Sequence, residues 1–479
     1  MISSDETADV IIVGAGLTGL CAAIEAGRSG LSAVLLESQP ELGGSAPMSA
    51  GFFAFAGTPL QKIKNVDDNP ALLLKDLVEG GQGESDDDLL SVYANRQLEL
   101  YNWLGEQGVK FDAVGQGAGQ SVARNHWTDS KQLVKTLIRR CESDSNIRIL
   151  RHTKASRLTE GPDNSGVTGC VVEQASEKIS INSRGGVFLT TGGFASGQDL
   201  LQIFAPLTTR ALPHAPAGST GDGLKMAWKL GAGLRDMGRV HATFGAHPDS
   251  KRGYLDVLAA YYSGGIIVNK GGERFVDESV NYKELGDAAL LQPDGLSFQI
   301  FDQTIMQKSI SGELSSSGAL SYDFNGYIKR GLVFSANTVK ELAILCGINP
   351  DVLSETLVDY NASVESGVDR RFGRRGLCNG VGALAKLESA PFFAFPSRSF
   401  LSSTYCGLTI DRHCRVMDVF GDPIRGLYAA GEVTGGFHGA GYMSGTAHGK
   451  GALFGRIGIQ SIARSLAEAV HSHSSRGGQ

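Results

Sequence analysis

The run Asp9-Val-Ile-Ile-Val13 leads directly into Gly14-Ala-Gly16-Leu-Thr-Gly19, and few folds accommodate that order. Four consecutive β-branched residues read as a short strand buried on both faces, as in a covered parallel sheet. Residues Leu20, Ala23, Ile24 and Gly27 then follow at helical spacing as far as Gly30. A second apolar run, Ala33 to Leu36, ends in Glu37, eighteen positions beyond Gly19. Strand, glycine turn, helix, strand and acid in this register make a dinucleotide-binding unit. Gly14 forms the turn, Gly16 admits the pyrophosphate, and Gly19 lets the helix pack on the strand. The helix N-terminus, with Leu17 and Thr18, faces the phosphates, and Glu37 with Ser38 meets a ribose.

FAD and NAD share this unit, and features farther along the chain favour FAD. Glu41-Leu-Gly43-Gly44-Ser45-Ala46 follows the second strand and continues as small residues to Gly51, a surface on which an extended dinucleotide can lie. Val187 to Thr190 is another strand-like run, entering Thr191-Gly192-Gly193. Nearly 400 residues after the first site, Gly426-Leu-Tyr-Ala-Ala-Gly431-Glu432 forms a strand ending in a second glycine–acid pair. A cofactor touched from both ends of the chain requires a discontinuous domain with a segment inserted into it.

Glycine, at 64 of 479 residues, is close to twice its usual share, and no repeat accompanies it. Close backbone-to-ligand contact is the expected cause. The net charge of −6 gives no footprint for nucleic acid. No stretch is long and apolar enough to span a bilayer, and the N-terminus lacks a basic region followed by a cleavable apolar segment. The seven cysteines are scattered without metal or haem spacing, so no metal site is expected. They read as buried residues of a reducing, cytoplasmic compartment.

Several ordered motifs carry a family resemblance: DVIIVGAGLTGLCAAIEA, ELGGSAPMSAG, VFLTTGGFA, STGDGLKMAWKLGAGLRDM, GGIIVNKGGERFVDE, DYNASVESGVDRRFGR and PIRGLYAAGEVTGG. Over essentially its whole length the chain resembles the fumarate reductase/succinate dehydrogenase flavoprotein superfamily. The resemblance implies an α/β architecture: a Rossmann-like FAD domain, with a parallel sheet and helices on both faces, interrupted by a smaller α+β cap. The expected segments are 1–245 and 392–479 for the FAD domain and 246–391 for the cap. It also implies flavin contacts at Ala155, Asp222, His438 and Thr446, and chemistry at the flavin N5 between the domains. Members with covalent flavin carry a histidine after the Gly-Gly pair. Ser45-Ala46-Pro47 follows it here, which implies non-covalent FAD.

The chain departs from the fumarate-reducing subfamily where that group clamps its dianion. The arginine expected four residues beyond the Glu278 of RFVDE is Tyr282, and the second arginine is Tyr442, with Ser444 two residues on. The histidine of an HTMGG-like segment is Ser403, and a further histidine position falls on either Thr243 or His247. Without a cation at either arginine position, an uncharged substrate is expected. Phenols at both places resemble the flavin-dependent 3-ketosteroid dehydrogenases and cyclic-ketone desaturases. The Tyr442-Met443-Ser444 spacing is most similar to the 4(5α) type.

The chemistry agrees. Desaturation beside a ketone needs a donor to the carbonyl, a base for the α-proton and a hydride acceptor. Tyr442 and Tyr282 are the candidates for base and donor, in either assignment, with Ser444 or the Gly445 N–H on the oxygen. The substrate is expected to be a steroid or smaller cyclic ketone. Running in reverse, the same site is an enone reductase; a non-catalytic flavin electron carrier is the alternative from another class. Quinone, a soluble carrier or oxygen remain open as electron acceptor, as does the oligomeric state.

Overall fold

The computed structural model describes residues 7–162, 165–175, 177–252, 254–311, 324–380 and 382–476. Among them, six strands form one sheet in the order Arg415–Met417, Pro423–Ala429, Val187–Leu189, Val10–Val13, Ala33–Leu36, Ile147–Leu150. Every pairing is parallel except that of the edge strand Arg415–Met417. The register sets Val187 opposite both Ile11 and Leu427, so segments from the two ends of the chain share one sheet. The four residues of Val10–Val13 are all buried, as a run without polar alternation requires.

Helix Leu17–Arg28 packs on this sheet and contacts both Ser130–Glu142 and Thr446–Arg476. A buried ion pair between Arg456 Nε and Glu25 Oε2, 2.9 Å apart, joins the first and last of them. A separate layer adjoins it: Lys154–Glu160, Val167–Gln174 and Glu177–Ser183 form an antiparallel sheet that contacts Val187–Leu189 and Pro423–Ala429.

A second apolar core, from Leu258 to Phe395, belongs to the cap. Its sheet is built on the ten-residue strand Phe392–Leu401, which pairs with Ser297–Asp302, Thr243–Ala246, Phe334–Ala336 and Leu212–Pro213. This strand lies beyond the expected cap segment in sequence but hydrogen-bonds inside the cap sheet. Helix Tyr282–Leu290 packs across Thr243–Ala246 and Phe392–Leu401, which sets the angle at which Tyr282 approaches the other domain.

Buried charge fixes two loops. Arg274 bonds to Glu278 at 2.6 Å and to Asp369 at 2.9 Å, and Arg374 reaches Glu278 at 3.2 Å and the carbonyl of Tyr261 at 2.8 Å. This cluster unites the RFVDE and DYNASVESGVDRRFGR motifs immediately before Tyr282. Buried ion pairs of this sort add little net stability but penalise every alternative arrangement of their loops. In the other domain, fully buried Arg124 bonds to Asp76 at 2.7 Å and to Asp68 at 2.9 Å. It anchors a small antiparallel sheet of Phe52–Ala54, Asn125–Trp127 and Ala113–Gly115. No helix of the described residues is long and apolar enough to cross a membrane.

Candidate active site

A cleft of about 1080 Å³ runs from the Gly14 turn, between the two cores, to the cap. Its first half is a cradle of backbone. Gly14 has φ +104°, and a Cβ there would sit 2.5 Å from the Thr190 carbonyl oxygen, so only glycine fits. Gly16 and Gly44 face each other so closely that a Cβ on Gly44 would lie 3.2 Å from the Gly16 Cα. Leu17, Thr18, Ser38, Ser45, Ala46, Gly51 and Ala155 continue the wall, as do Gly192, Asp222 and Gly431. The Glu37 carboxylate accepts the N–H groups of Ala15 at 3.0 Å and Gln39 at 2.9 Å and also borders the cleft. It therefore fixes the turn itself, a duty beyond the ribose contact expected of it.

Gly19, Gly43, Gly193 and Thr446 lie behind this wall. A Cβ on Gly19 would meet the Gly14 carbonyl at 1.9 Å, and one on Gly193 would meet the Thr404 hydroxyl at 2.1 Å. Both glycines serve close packing. Gly43 donates its N–H to Ala15 O at 2.8 Å, and Thr446 donates its hydroxyl to Met443 O at 2.6 Å. Each backs the cradle without facing it.

Among the described residues, three polar atoms on the cleft wall are buried without a protein partner: Thr191 Oγ1, His214 Nδ1 and His438 Nε2. Unsatisfied buried groups are rare and point to a missing partner. Together with the glycine cradle they fit an extended flavin dinucleotide. His438 sits 4.9 Å from the Tyr405 ring and 5.2 Å from the Tyr442 ring, centroid to centroid. Burial, assisted by Lys450 and Lys283, holds it well below the usual histidine range, hence neutral.

At the other end of the cleft Tyr282, Tyr442, Ser444 and Gly445 come together, although about 160 residues separate the two tyrosines. Tyr282 is the first residue of its helix, whose cap, Asn281, accepts the Lys283 N–H at 2.9 Å. Tyr442 and Ser444 lie in the loop before helix Thr446–Arg476. Both phenols are surrounded by protein on every side except the cleft, and burial raises both acidities' thresholds, Tyr282 well above the ordinary tyrosine range. A charge on Tyr442 raises Tyr282 further, and a hydrogen bond from Ser444 opposes the rise. For Tyr442 the opposing groups are the Tyr405 hydroxyl, the Ala447 and Gly445 amides and the Thr446 side chain. Amides at a helix N-terminus favour an anion there.

Several neighbours have no counterpart in the sequence reading. Tyr405 stacks on Tyr442 with centroids 4.7 Å apart and planes 18° apart, from a backbone at φ +56°. Lys283 and Lys450 also border the cleft, so it is not free of cations. Burial lowers both ammonium groups to about 8, against the pull of Asp287 and Glu432 on Lys283 and of Asp236 and Glu432 on Lys450. Each is tied to a carbonyl as well, Lys283 to His241 O at 3.2 Å and Lys450 to Thr434 O at 2.8 Å. Burial raises the Glu432 carboxyl in turn. Of the two positions for a further histidine, Thr243 borders the cleft; His247 packs on Phe395 at 5.4 Å and is not on its wall. Toward the mouth the wall becomes aromatic, with Phe244, Tyr261, Tyr262, Tyr327 and Phe400.

Comparison with known proteins agrees with this anatomy. The family model described as FAD binding domain matches residues 9–447. A fumarate reductase (cytochrome) from Shewanella frigidimarina is 31% identical, over 96% of this chain and 77% of that protein. A vinyl phenol reductase from Lactiplantibacillus plantarum is 27% identical over 90% of each. Among solved structures, the 3-ketosteroid-Δ4-(5α)-dehydrogenase of Rhodococcus jostii RHA1, in complex with 4-androstene-3,17-dione, superposes with a TM-score of 0.76. It is 25% identical and is matched over 96% of this chain and 97% of that one.

Proposed function

Because the chain belongs to the FAD binding domain family and its relatives are flavin-dependent oxidoreductases acting on carbon–carbon bonds, we propose that it desaturates a cyclic ketone beside the carbonyl. The observation that carries this reading is the meeting of two phenols from different domains, Tyr282 and Tyr442, where a dicarboxylate-binding member has arginines. Bound FAD supplies the acceptor for the β-hydride. Every other task falls to side chains of this chain.

Tyr442 is the base for the α-proton. Burial disfavours its phenolate, and the Tyr405 hydroxyl and the amides of Ala447 and Gly445 offset part of that cost. Tyr282 keeps its proton, because an ionised Tyr442 beside it disfavours a second negative charge. It donates that proton's hydrogen bond to the ketone oxygen. Two titrating groups pushed apart in this way divide into acid and base. The aromatic mouth supports an apolar ring system, steroid or smaller. Serine at position 45 supports non-covalent FAD, and seven free cysteines support a reducing, cytoplasmic setting.

The reverse reaction, reduction of an enone, is the second reading, favoured by relatives that are themselves reductases. Mixing the oxidised protein anaerobically with saturated cyclic ketones, and the reduced protein with the matching enones, separates the two. Bleaching of the flavin by ketones supports the desaturase, and reoxidation by enones alone supports the reductase. Silence in both arms would leave only an electron carrier. Quinones, soluble carriers and oxygen are the acceptors to assay under turnover, and acid precipitation releasing free FAD checks the non-covalent attachment.

A further inference from the structure

Ser444 can donate one hydrogen bond, and the groups behind it determine where that bond goes. The strand Asn125–Trp127 presents Asn125, 1% exposed, whose Nδ2 donates to Ser444 Oγ at 2.9 Å. Gln120, 3% exposed, donates through Nε2 to Asn125 Oδ1 at 2.7 Å and to the Ser444 carbonyl at 2.8 Å. Its Oε1 accepts the Gly117 N–H at 2.8 Å.

A backbone N–H can only donate, so this last bond fixes the whole series. Gln120 must turn its oxygen toward Gly117 and its amino group toward Asn125. Asn125 must then turn its amino group toward Ser444. Ser444 Oγ is thereby an acceptor from Asn125, and its own proton is left for the cleft, which Tyr282 also borders. The fit around Asn125 is tight. A Cβ on Gly117 would lie 2.2 Å from its Nδ2, and one on Gly445 would lie 2.5 Å from its Oδ1. Only glycine at positions 117 and 445 leaves the amide its place.

We propose that Gln120 and Asn125 are positioning residues that polarise a chain of hydrogen bonds from the Gly117 N–H through Ser444 to Tyr282, so that the Tyr282 proton is directed at the substrate carbonyl. An acceptor bond at a hydroxyl strengthens the bond it donates, so the series makes Tyr282 a stronger donor than an isolated phenol. This rests on the ketone reading above. Neither residue belongs to the glycine-rich loop or to the cap. Asn125 acts from the Arg124-anchored sheet, and Gln120 from the loop between its strands Ala113–Gly115 and Asn125–Trp127.

The test uses Asn125→Asp, which keeps the shape but offers only acceptors, and therefore draws the Ser444 proton away from Tyr282. The probe is 4-androstene-3,17-dione carrying 13C at C3, bound to the oxidised holoenzyme, with its carbonyl stretch followed by isotope-edited infrared difference spectroscopy. In wild type the stretch moves to lower frequency than in water. Asn125→Asp and Ser444→Ala should each reverse much of that displacement, and the double variant no more than either alone. On the ketone that bleaches the flavin, kcat should fall roughly tenfold, as for one lost hydrogen bond, with KM little changed. Gln120→Glu, which removes the same donor one step earlier, covers the case in which Asn125→Asp fails to fold. An unchanged carbonyl frequency in Asn125→Asp, or additive effects in the double variant, would overturn the proposal. A probe that binds without any displacement in wild type would instead remove Tyr282 as donor; if the steroid does not bind, the same label is placed on the cyclic ketone that bleaches the flavin, and no bound carbonyl signal from either would sink the ketone reading and this proposal with it.

Discussion

Asn281 Nδ2 donates to the carbonyl oxygen of Tyr442 at 3.0 Å. The same side chain, through Oδ1, caps the helix that begins with Tyr282. One amide thus holds the two phenols at a set separation across the seam between cap and FAD domain. Asn281→Asp keeps the cap acceptor and loses the donor. The helix should keep its stability, which a missing cap would lower by about 1 kcal/mol. Turnover should fall severalfold with flavin binding unchanged. Kinetics alongside thermal melts check this, and loss of stability without loss of rate would assign Asn281 to capping alone.

Tyr442→Phe retains the stacked ring and removes only the hydroxyl. If the phenol is the base, the rate should fall by about two to four orders of magnitude while the flavin spectrum is preserved. Burial raises this phenol above its ordinary value, and the base must be ionised to act. Wild-type kcat should therefore climb with pH through the alkaline range, and the variant should show no such climb. A near-wild-type rate with the same profile would make Tyr442 a packing residue and Tyr282 the leading base.

Lys283 offers a pH test that does not depend on substrate. Burial lowers its ammonium from the ordinary 10.5 to about 8. Between those values the unfolded chain holds a proton that the folded one has released. Stability relative to Lys283→Met should therefore rise with pH across that window, by up to about 3 kcal/mol, and level off on either side. Urea melts of both proteins at saturating FAD measure it. A difference that stays flat from pH 8 to 10.5 would show that the ammonium is not desolvated.

Fumarate and succinate should be neither turned over nor tightly bound. The described cations bordering the cleft are already opposed, Lys283 by Asp287 and Glu432, Lys450 by Asp236 and Glu432, Lys154 by Asp222 at 2.9 Å and Arg330 by Asp256 at 2.9 Å. None is left to offset a desolvated dianion. Stopped-flow reoxidation of the reduced protein by fumarate is the check, and an enzymatic rate would reverse the substrate assignment.

The part of this molecule that could be read from the sequence is the part encoded by local rules. A glycine where φ must be positive, an apolar run in a buried strand and an acid at the end of the next strand are all short-range necessities, so Gly14, Gly16, Val10–Val13 and Glu37 were legible. Tyr282, Tyr442 and Ser444 were legible only through likeness to a family, since no periodicity brings residues 160 apart together. Tyr405, Gln120 and Asn125 left no local trace, because their roles consist of contacts with distant loops. Lys450 left a faint one, a single charge in the small-residue run His448-Gly-Lys450-Gly-Ala-Leu, where a helix face is otherwise apolar. The packing glycines show why glycine alone is an ambiguous signal. Gly19 and Gly193 satisfy a steric demand of the protein's own backbone, and that demand looks identical in sequence to the demand of a ligand.

The place of Val187–Leu189 between Val10–Val13 and Pro423–Ala429 also has a consequence for biosynthesis. The ribosome delivers the first dinucleotide-binding half long before the strand that completes its sheet. Until residues 423–476 emerge, one edge of Val187–Leu189 is unpaired and the face of helix Leu17–Arg28 that receives Thr446–Arg476 is bare. Glu25 waits for Arg456 through the synthesis of more than 400 residues. The nascent chain therefore exposes a sticky apolar edge for most of its translation, which is work for a holdase. Loading of the cofactor is then a late step, taken by a chain whose cap has already been made.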